Sequence, residues 1–308
     1  MSYRGKVSAI LALVLVVSTG AAVLLLRRVD RLRSEATLEE VLYIPSPAVL
    51  KRMSLGYNGL LADIYWTRAV QYFGGKHHEK SKQYLLLAPL LDITTTLDPQ
   101  LIVAYQFGSV FLAQKPPEGA GMPDKAVELV ERGIRENPND WHLYYDLGFL
   151  QCIERKDYLA AAQAFERGSK VSGAHPFLKI LAASMAQHGG DLETARLLWT
   201  TTYETTTDRL IRDNALKHLV ALKVDEDIGR LDQFVALYRE RTGHPPASFL
   251  DMVSAGLLRG IPVDPLGHPY KLVADGHIEV ESPDDLPFIT RGLPPGQEAP
   301  LVVVPKSK

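Results

Sequence analysis

WHLYYDLGFLQCIERKDYLAAAQAFERG, Trp141 to Gly168, decides how the rest of the chain is read. Its first half predicts a helix from about Trp141 to Glu154, with Tyr144, Leu147, Phe149 and Leu150 as apolar positions. Its second half predicts a helix from about Leu159 to Gly168, with Ala161, Ala164 and Phe165 at helical spacing. Arg155-Lys156-Asp157 is a short polar turn between them. Gly148 and Ala161 are small where the two helices would approach most closely, and a larger side chain would push them apart. One such pair cannot bury both apolar faces alone, so it implies neighbours of the same kind.

Leu147-Gly148, Tyr158, Ala161 and Phe165 resemble the tetratricopeptide repeat. That family pairs a small residue in the first helix with an Ala and an aromatic four apart in the second, then a Pro. The turn here carries one extra residue and Pro176 comes late, so this copy is degenerate. Upstream, Phe107, Gly108 and Phe111 take the first-helix places, and Ala126, Val130, Gly133 and Pro138 the second-helix ones. The link between those halves, residues 115–123, is longer than usual. Downstream the places fall on Ala183, Gly190, Asp191, Ala195, Trp199 and Thr202. A weaker unit comes first, with Ala62 and Tyr65, then Leu87, Leu91, Thr94 and Pro99. A further pair, Leu210 to Leu222 and Ile228 to Arg241, is helical but lacks the motif residues.

The resemblance implies a concave groove lined by the first helices, which would hold a partner segment. Its groove places fall on Tyr105, Ser109 and Leu112, then His142, Tyr145 and Phe149, then Phe177, Ser184 and His188. The Lys, Asn and Arg set with which some members clamp a carboxylate terminus is missing. An aromatic, nearly uncharged lining suits an apolar protein segment better than an acidic tail. The other occupant to consider is part of the same chain, such as Leu55 to Phe73.

Residues 7–26, VSAILALVLVVSTGAAVLLL, carry no charge and are long enough to span a bilayer core of roughly 30 Å. Arg4 and Lys6 precede the run; Arg27, Arg28, Arg31 and Arg33 follow it. The alternative is a cleaved signal peptide, but the run is long for one and the basic residues after it suit cleavage poorly. The expectation is an uncleaved single-pass anchor in the cytoplasmic membrane, residues 1–28. The basic residues slightly favour a cytoplasmic body, whereas the short basic tail suits a signal anchor. The C-terminal segment described below tips the expectation to an extracytoplasmic body.

Over the whole chain, 46% hydrophobic and 23% charged residues are ordinary and support a folded body behind the anchor. The near-neutral balance of 34 basic and 36 acidic residues, with no basic stripe, argues against nucleic acid. Cys152 is the single cysteine, which excludes an internal disulfide framework. Residues 29–47 read as a juxtamembrane linker broken at Pro45 and Pro47, with Ser46 and Pro47 starting the next helix. Leu55 to Phe73 reads as an apolar helix with one intruder, Asp63, which would need a partner if buried. Gly74 and Gly75 would end it, leaving His77-His78-Glu79 in a polar loop. Adjacent histidines lack the i, i+4 geometry of a helix-borne metal site. No H-E-x-x-H, G-x-S-x-G or glycine-rich phosphate loop is present, so no metal, cofactor or catalytic residue is expected.

Composition changes at Gly243-His244-Pro245-Pro246. A short helix, Ser248 to Leu258, precedes two alternating runs around Tyr270–Leu272 and Ile278–Val280, with Asp275-Gly276 as the turn. Ile261-Pro262, Asp264-Pro265, Gly267 and Pro269-Tyr270 resemble the C-terminal part of type II secretion major pseudopilins. That likeness covers about forty residues, and the long N-terminal pilin helix is missing. A loop in that family can bind calcium; Asp284 and Asp285 lie after the hairpin, but the ligand pattern does not carry over.

The expectation is therefore a mainly α chain. A tetratricopeptide-like solenoid over 48–242 stands behind a single transmembrane helix. It is followed by a helix plus β-hairpin module over 243–286 and a Pro-rich tail over 287–308. The function it implies is a membrane-anchored scaffold for protein–protein interaction, in the sharper version beside a secretion or type IV pilus-like machine. The alternatives are a structural subunit of a larger membrane complex, or an enzyme whose dispersed site lies between repeats and module.

Overall fold

The structure, a computed structural model, describes Leu15, Ser18, Gly20, residues 46–297 and Ala299. The uncharged run 7–26 and the segment Leu301 to Val304 thus lie almost wholly outside the described residues. Among the described residues no helix is long and apolar enough to cross a membrane.

The described body is mainly helical, with one small sheet. We number the helices α1 Pro47–Met53, α2 Asn58–His78, α3 Leu87–Leu97, α4 Ile102–Ala113, α5 Pro123–Glu136 and α6 Trp141–Phe149. They continue as α7 Tyr158–Ser169, α8 Phe177–His188, α9 Leu192–Thr205, α10 Arg209–Thr242 and α11 Phe249–Ser254. Each of α2 to α10 packs on its sequence neighbour, which makes a helical solenoid. Asp140, Asp157, Asp191 and Asp208 start α6, α7, α9 and α10, each accepting a backbone N–H from the first turn. Such a cap is worth about 1 kcal/mol.

Small residues set how closely the helices approach. A Cβ on Gly148 would lie 2.4–2.6 Å from the ring of Phe165. One on Gly133 would lie 2.8 Å from Tyr105 and 3.3 Å from Leu143. One on Gly168 would lie 2.7 Å from both Tyr144 and Leu178. The last two triples are equivalent, so the structural unit repeats.

The extra residue in the α6–α7 turn is absorbed as a π-helical turn, Leu150–Glu154, in which Arg155 N–H reaches Leu150 O at 3.3 Å. The long α4–α5 link folds back onto α4, with Ala120 and Met122 N–H donating to Phe111 and Leu112 carbonyls. Tyr84 closes it by donating to Pro117 O at 2.6 Å.

Three local expectations need correction. Gly74 and Gly75 do not end α2, which runs on to His78. Two glycines weaken a helix by about 1 kcal/mol each but do not block it, and the ring of His77 stacks on Phe73 beyond them. Asp63 is exposed and needs no buried partner. The pair foreseen over Leu210–Leu222 and Ile228–Arg241 is one 34-residue helix, α10, closed by Gly243 in the left-handed conformation. Nothing between Lys223 and Asp227 breaks a helix, since Pro is lacking there.

The C-terminal segment lies on the second half of α10. Ile228, Leu231, Val235 and Tyr238 share one core with Phe249, Met252, Tyr270, Ile278, Val280, Leu286 and Ile289. Helix α11 opens with a Ser248/Asp251 capping box. Strands β1 Lys271–Leu272 and β2 Ile278–Glu279 pair antiparallel, Lys271 opposite Glu279 and Leu272 opposite Ile278. The turn between them has Gly276 N–H bonded to Val273 O, with Gly276 at φ 92°. Residues 288–292 are docked rather than a free tail: Val280 N–H donates to Gly292 O at 3.0 Å, and Ile289 is buried.

Candidate partner-binding groove

The two glycine triples give the register of the first helices. Tyr105 takes the place of Tyr144, so Ser109 corresponds to Gly148 and Val110 to Phe149. The expected register, built on Gly108, is off by one. Tyr105, Ser109 and Leu112 are therefore interior, not groove-lining. Tyr105 is fully buried against Gly133, and burial pushes its phenol up to about 12. Ser109 is buried beside Gly108, and its hydroxyl donates to Gln106 O at 2.8 Å. The places on α4 equivalent to His142, Tyr145 and Phe149 are instead Val103, Gln106 and Val110, the last 44% exposed, with Phe107 between them 54% exposed.

On α6 the expected residues stand on one partly exposed stripe. His142 is exposed and held by Asp140, whose carboxylate accepts from its backbone N–H at 3.0 Å and faces its Nδ1 at 2.8 Å. Tyr145 and Phe149 are half-buried, with ring centres 4.7 Å apart. Both lean on Phe165 from α7, at 6.3 and 5.4 Å. They are thus rigid aromatic surfaces backed by core. Beyond Phe149 the π turn exposes Ile153.

On α8, Phe177 is exposed, whereas Ser184 is buried. His188 is half-buried; its Nδ1 bonds Ser184 O at 2.9 Å and its Nε2 is buried with no partner. Ile180, one turn after Phe177, is half-buried and belongs with them by spacing.

Exposed apolar side chains gather on the first helices of the hairpins. Leu60, Ile64 and Val70 are on α2, Phe107 and Val110 on α4, Phe177 on α8, and Leu210 and Leu216 on α10. The second helices expose far fewer, Leu159, Leu197 and Tyr203. Helix α2 packs against α3 as the first hairpin, and it meets α4 where Trp66 and Phe73 stack on Phe111 at 6.3 and 4.0 Å.

One polar pair in this face escaped the sequence reading. Asp146 on α6 is hydrogen-bonded by Gln106 of α4, and its Oδ2 is buried without a partner. Burial is the main cause that pushes its carboxyl up to about 6; the Gln106 bond and His142 oppose the shift. The signal available was Asp146 beside Leu147-Gly148 on a face otherwise apolar.

A second polar constellation lies between repeats and module. Asp225 on α10 is fully buried and accepts from Gln187 Nε2, Thr290 N–H, Thr290 Oγ1 and Arg291 N–H at 2.8–3.0 Å. Gln187 also donates to Phe288 O at 2.8 Å, and its Oε1 faces His218 Nδ1 at 3.2 Å. His218 is sandwiched between Trp199 and Phe288, at 3.9 and 3.8 Å. Burial chiefly, then His188, pushes His218 down to about 3, so it is neutral. This arrangement fastens residues 288–291, here called the strap, to α8 and α10.

A wide, open cleft of about 600 Å³ between α10 and the hairpin is lined by Asp232, Val235, Arg239, Glu240, Asp275 and His277, among others. Burial raises Asp232 somewhat, against Arg291 and His277. On its rim the Asp275 carboxylate accepts from the His277 backbone N–H at 2.9 Å, and His277 Nε2 lies 3.4 Å from Leu293 O. Among the described residues no cluster of three His, Cys, Asp or Glu is placed to hold a metal.

No family model, curated protein or solved structure matches the chain.

Proposed function

We propose that the chain is a membrane-anchored, tetratricopeptide-like scaffold whose first-helix face holds an apolar segment of a protein partner. The observation that carries this reading is the gathering of uncovered apolar side chains on the first helices, with Tyr145 and Phe149 held rigid at the centre by Phe165. Aromatics fixed by a core are the usual anchors of an interface, and truncating one costs about 2 kcal/mol or more of binding. The π turn at Leu150–Glu154 agrees, because such turns recur at functional sites. The uncharged run 7–26, long enough for a bilayer core, supports a membrane anchor. The pseudopilin-like residues favour an extracytoplasmic body near a secretion or pilus-like assembly.

The test is photo-crosslinking in cells, with benzoyl-phenylalanine placed singly at Val110, Tyr145, Phe149 and Phe177. Controls sit at Lys125 and Glu128, exposed on the second helix α5. Crosslinks to a common protein from the first set and none from the controls are expected. Equal yields from both faces would sink the reading.

A further inference from the structure

Helix α1 and the turn into α2 expose an unusual set of side chains. Met53, Leu55, Tyr57 and Leu60 are 60–87% exposed, with Val49 and Ile64 beside them. The turn that carries them is locked. Ser54 is buried, its hydroxyl donating to Lys51 O at 2.9 Å and pairing with Asn58 Oδ1, and Tyr57 N–H closes on Ser54 O at 2.8 Å. Leu55 is held at φ 50° and Gly56 at φ 94°. A left-handed leucine costs about 1–2 kcal/mol, yet here the residue at the tip is leucine, 87% exposed. The apolar chains thus point outward from a built turn, not from a frayed end.

Charge follows the same division. From Pro47 to Ala62 the charged residues are Lys51 and Arg52, and the first acid is Asp63. Aliphatic and aromatic tips flanked by cations are the composition of an interfacial membrane contact. These side chains stand open to solvent on a turn, which suits a fluid boundary. It is also tethered: residues 27–45, which include Arg27, Arg28, Arg31 and Arg33, join it to the uncharged run 7–26. Fully extended, that link reaches roughly 65 Å, so the turn cannot leave the vicinity of a bilayer that the run enters.

We propose that the Met53–Leu60 turn is a second membrane contact. Met53, Leu55, Tyr57 and Leu60 enter the headgroup–acyl boundary, and Lys51 and Arg52 meet anionic headgroups. This inference rests on the reading of 7–26 as a membrane anchor. It goes further by fixing the first hairpin against the bilayer, so that the solenoid is held at two places instead of swinging on its linker.

The test uses the full chain in nanodiscs of phosphatidylcholine, with and without phosphatidylglycerol. Leu55→Cys carries an environment-sensitive NBD label; Lys125→Cys on α5 is the control, and buried Cys152 stays in place. The label at 55 should shift to the blue and lose emission to doxyl-labelled lipid, while the control stays water-like. Adding Lys51→Glu and Arg52→Glu should reduce the quenching in discs with phosphatidylglycerol. A label at 55 that stays open to aqueous iodide, on a chain that remains in the discs, overturns the contact alone. Shielding from both iodide and lipid quencher also overturns it, and assigns the turn to a protein cover such as residues 27–45. A chain that does not enter discs at all overturns the anchor and the contact together.

Discussion

Gly148→Ala should destabilise the repeats, although helix propensity alone favours alanine. In a helix interior the exchange gains about 1 kcal/mol. Against this, the new methyl would lie 2.4–2.6 Å from three ring carbons of Phe165. That ring is 1% exposed and boxed in by Tyr145 and Phe149, so it cannot swing away. Overpacking of this kind costs about 1–3 kcal/mol. Gly74→Ala in α2 supplies the matched control, because a methyl there meets nothing within 4 Å and only the propensity gain remains. The difference between the two variants isolates the packing cost, about 1–3 kcal/mol, or several degrees of melting temperature at about 2–4 °C per kcal/mol. Urea and thermal midpoints followed by helical circular dichroism in mild detergent would read it. Phe165→Leu alone should destabilise by leaving space, yet added to Gly148→Ala it should cost at least about 1 kcal/mol less, since the pair is in contact. A Gly148→Ala protein that melts like Gly74→Ala, with no coupling to Phe165, would refute the close approach on which the hairpin reading rests.

Two further outcomes follow from the polar core. His218 is held neutral down to about pH 3, whereas an unfolded histidine takes up its proton near 6.5. Its contribution is therefore present above pH 6.5 and is lost as pH falls towards 3, by up to about 1.4 kcal/mol per pH unit. His218→Phe keeps the stack between Trp199 and Phe288 and should flatten the fall in urea midpoint between pH 6.5 and 4.5; unchanged slopes would place the acid sensitivity elsewhere. Asp225→Ala strips the acceptor from Gln187, Thr290 and Arg291 and should cost several times the roughly 1 kcal/mol of a single hydrogen bond. Limited proteolysis should then cut first within residues 286–297, and a strap as resistant as the parent's would show that Asp225 does not hold it.

The hairpins were legible because their signal is local. Ala161, Ala164 and Phe165 fall at helical spacing, with Gly148 close before them in one short stretch. The register of α4 was not legible, because Gly108 and Ser109 are adjacent and both small. Both are buried, and a Cβ on Gly108 would itself meet Leu91 and Leu129 at 2.8 and 3.1 Å, so only the contact of Gly133 with Tyr105 shows that Ser109 aligns with Gly148. Helix α10 was divided wrongly because Lys223–Asp227 looks polar; Asp225 is in fact inward-facing, one turn from both Ala221 and Ile228. That spacing was in the sequence. Its partners Thr290 and Arg291 were not, being 65 and 66 residues away and joined to it by two backbone N–H groups that any residue would supply and by one threonine hydroxyl.

The strap bears on what the C-terminal segment is for. A solenoid leaves an apolar face uncovered at each end and needs a cap there. Past Leu222, α10 has no further repeat helix to cover Ile228, Leu231, Val235 and Tyr238, and the hairpin, α11 and residues 286–289 do so instead. An independent module would carry a core of its own, whereas every part of this one packs on α10. The join is also without a seam: Trp199 of the last repeat hairpin, His218 and Phe288 of the strap stack in one column. Asp225 sets the register of that docking, since its four donors are met only when Thr290 and Arg291 lie directly over it. Apolar burial alone would let the strap slide along α10; a buried carboxylate that needs all its partners does not. Capping thus gives the segment a structural role, and under the function proposed above a partner's apolar segment would dock on the first helices between the two ends.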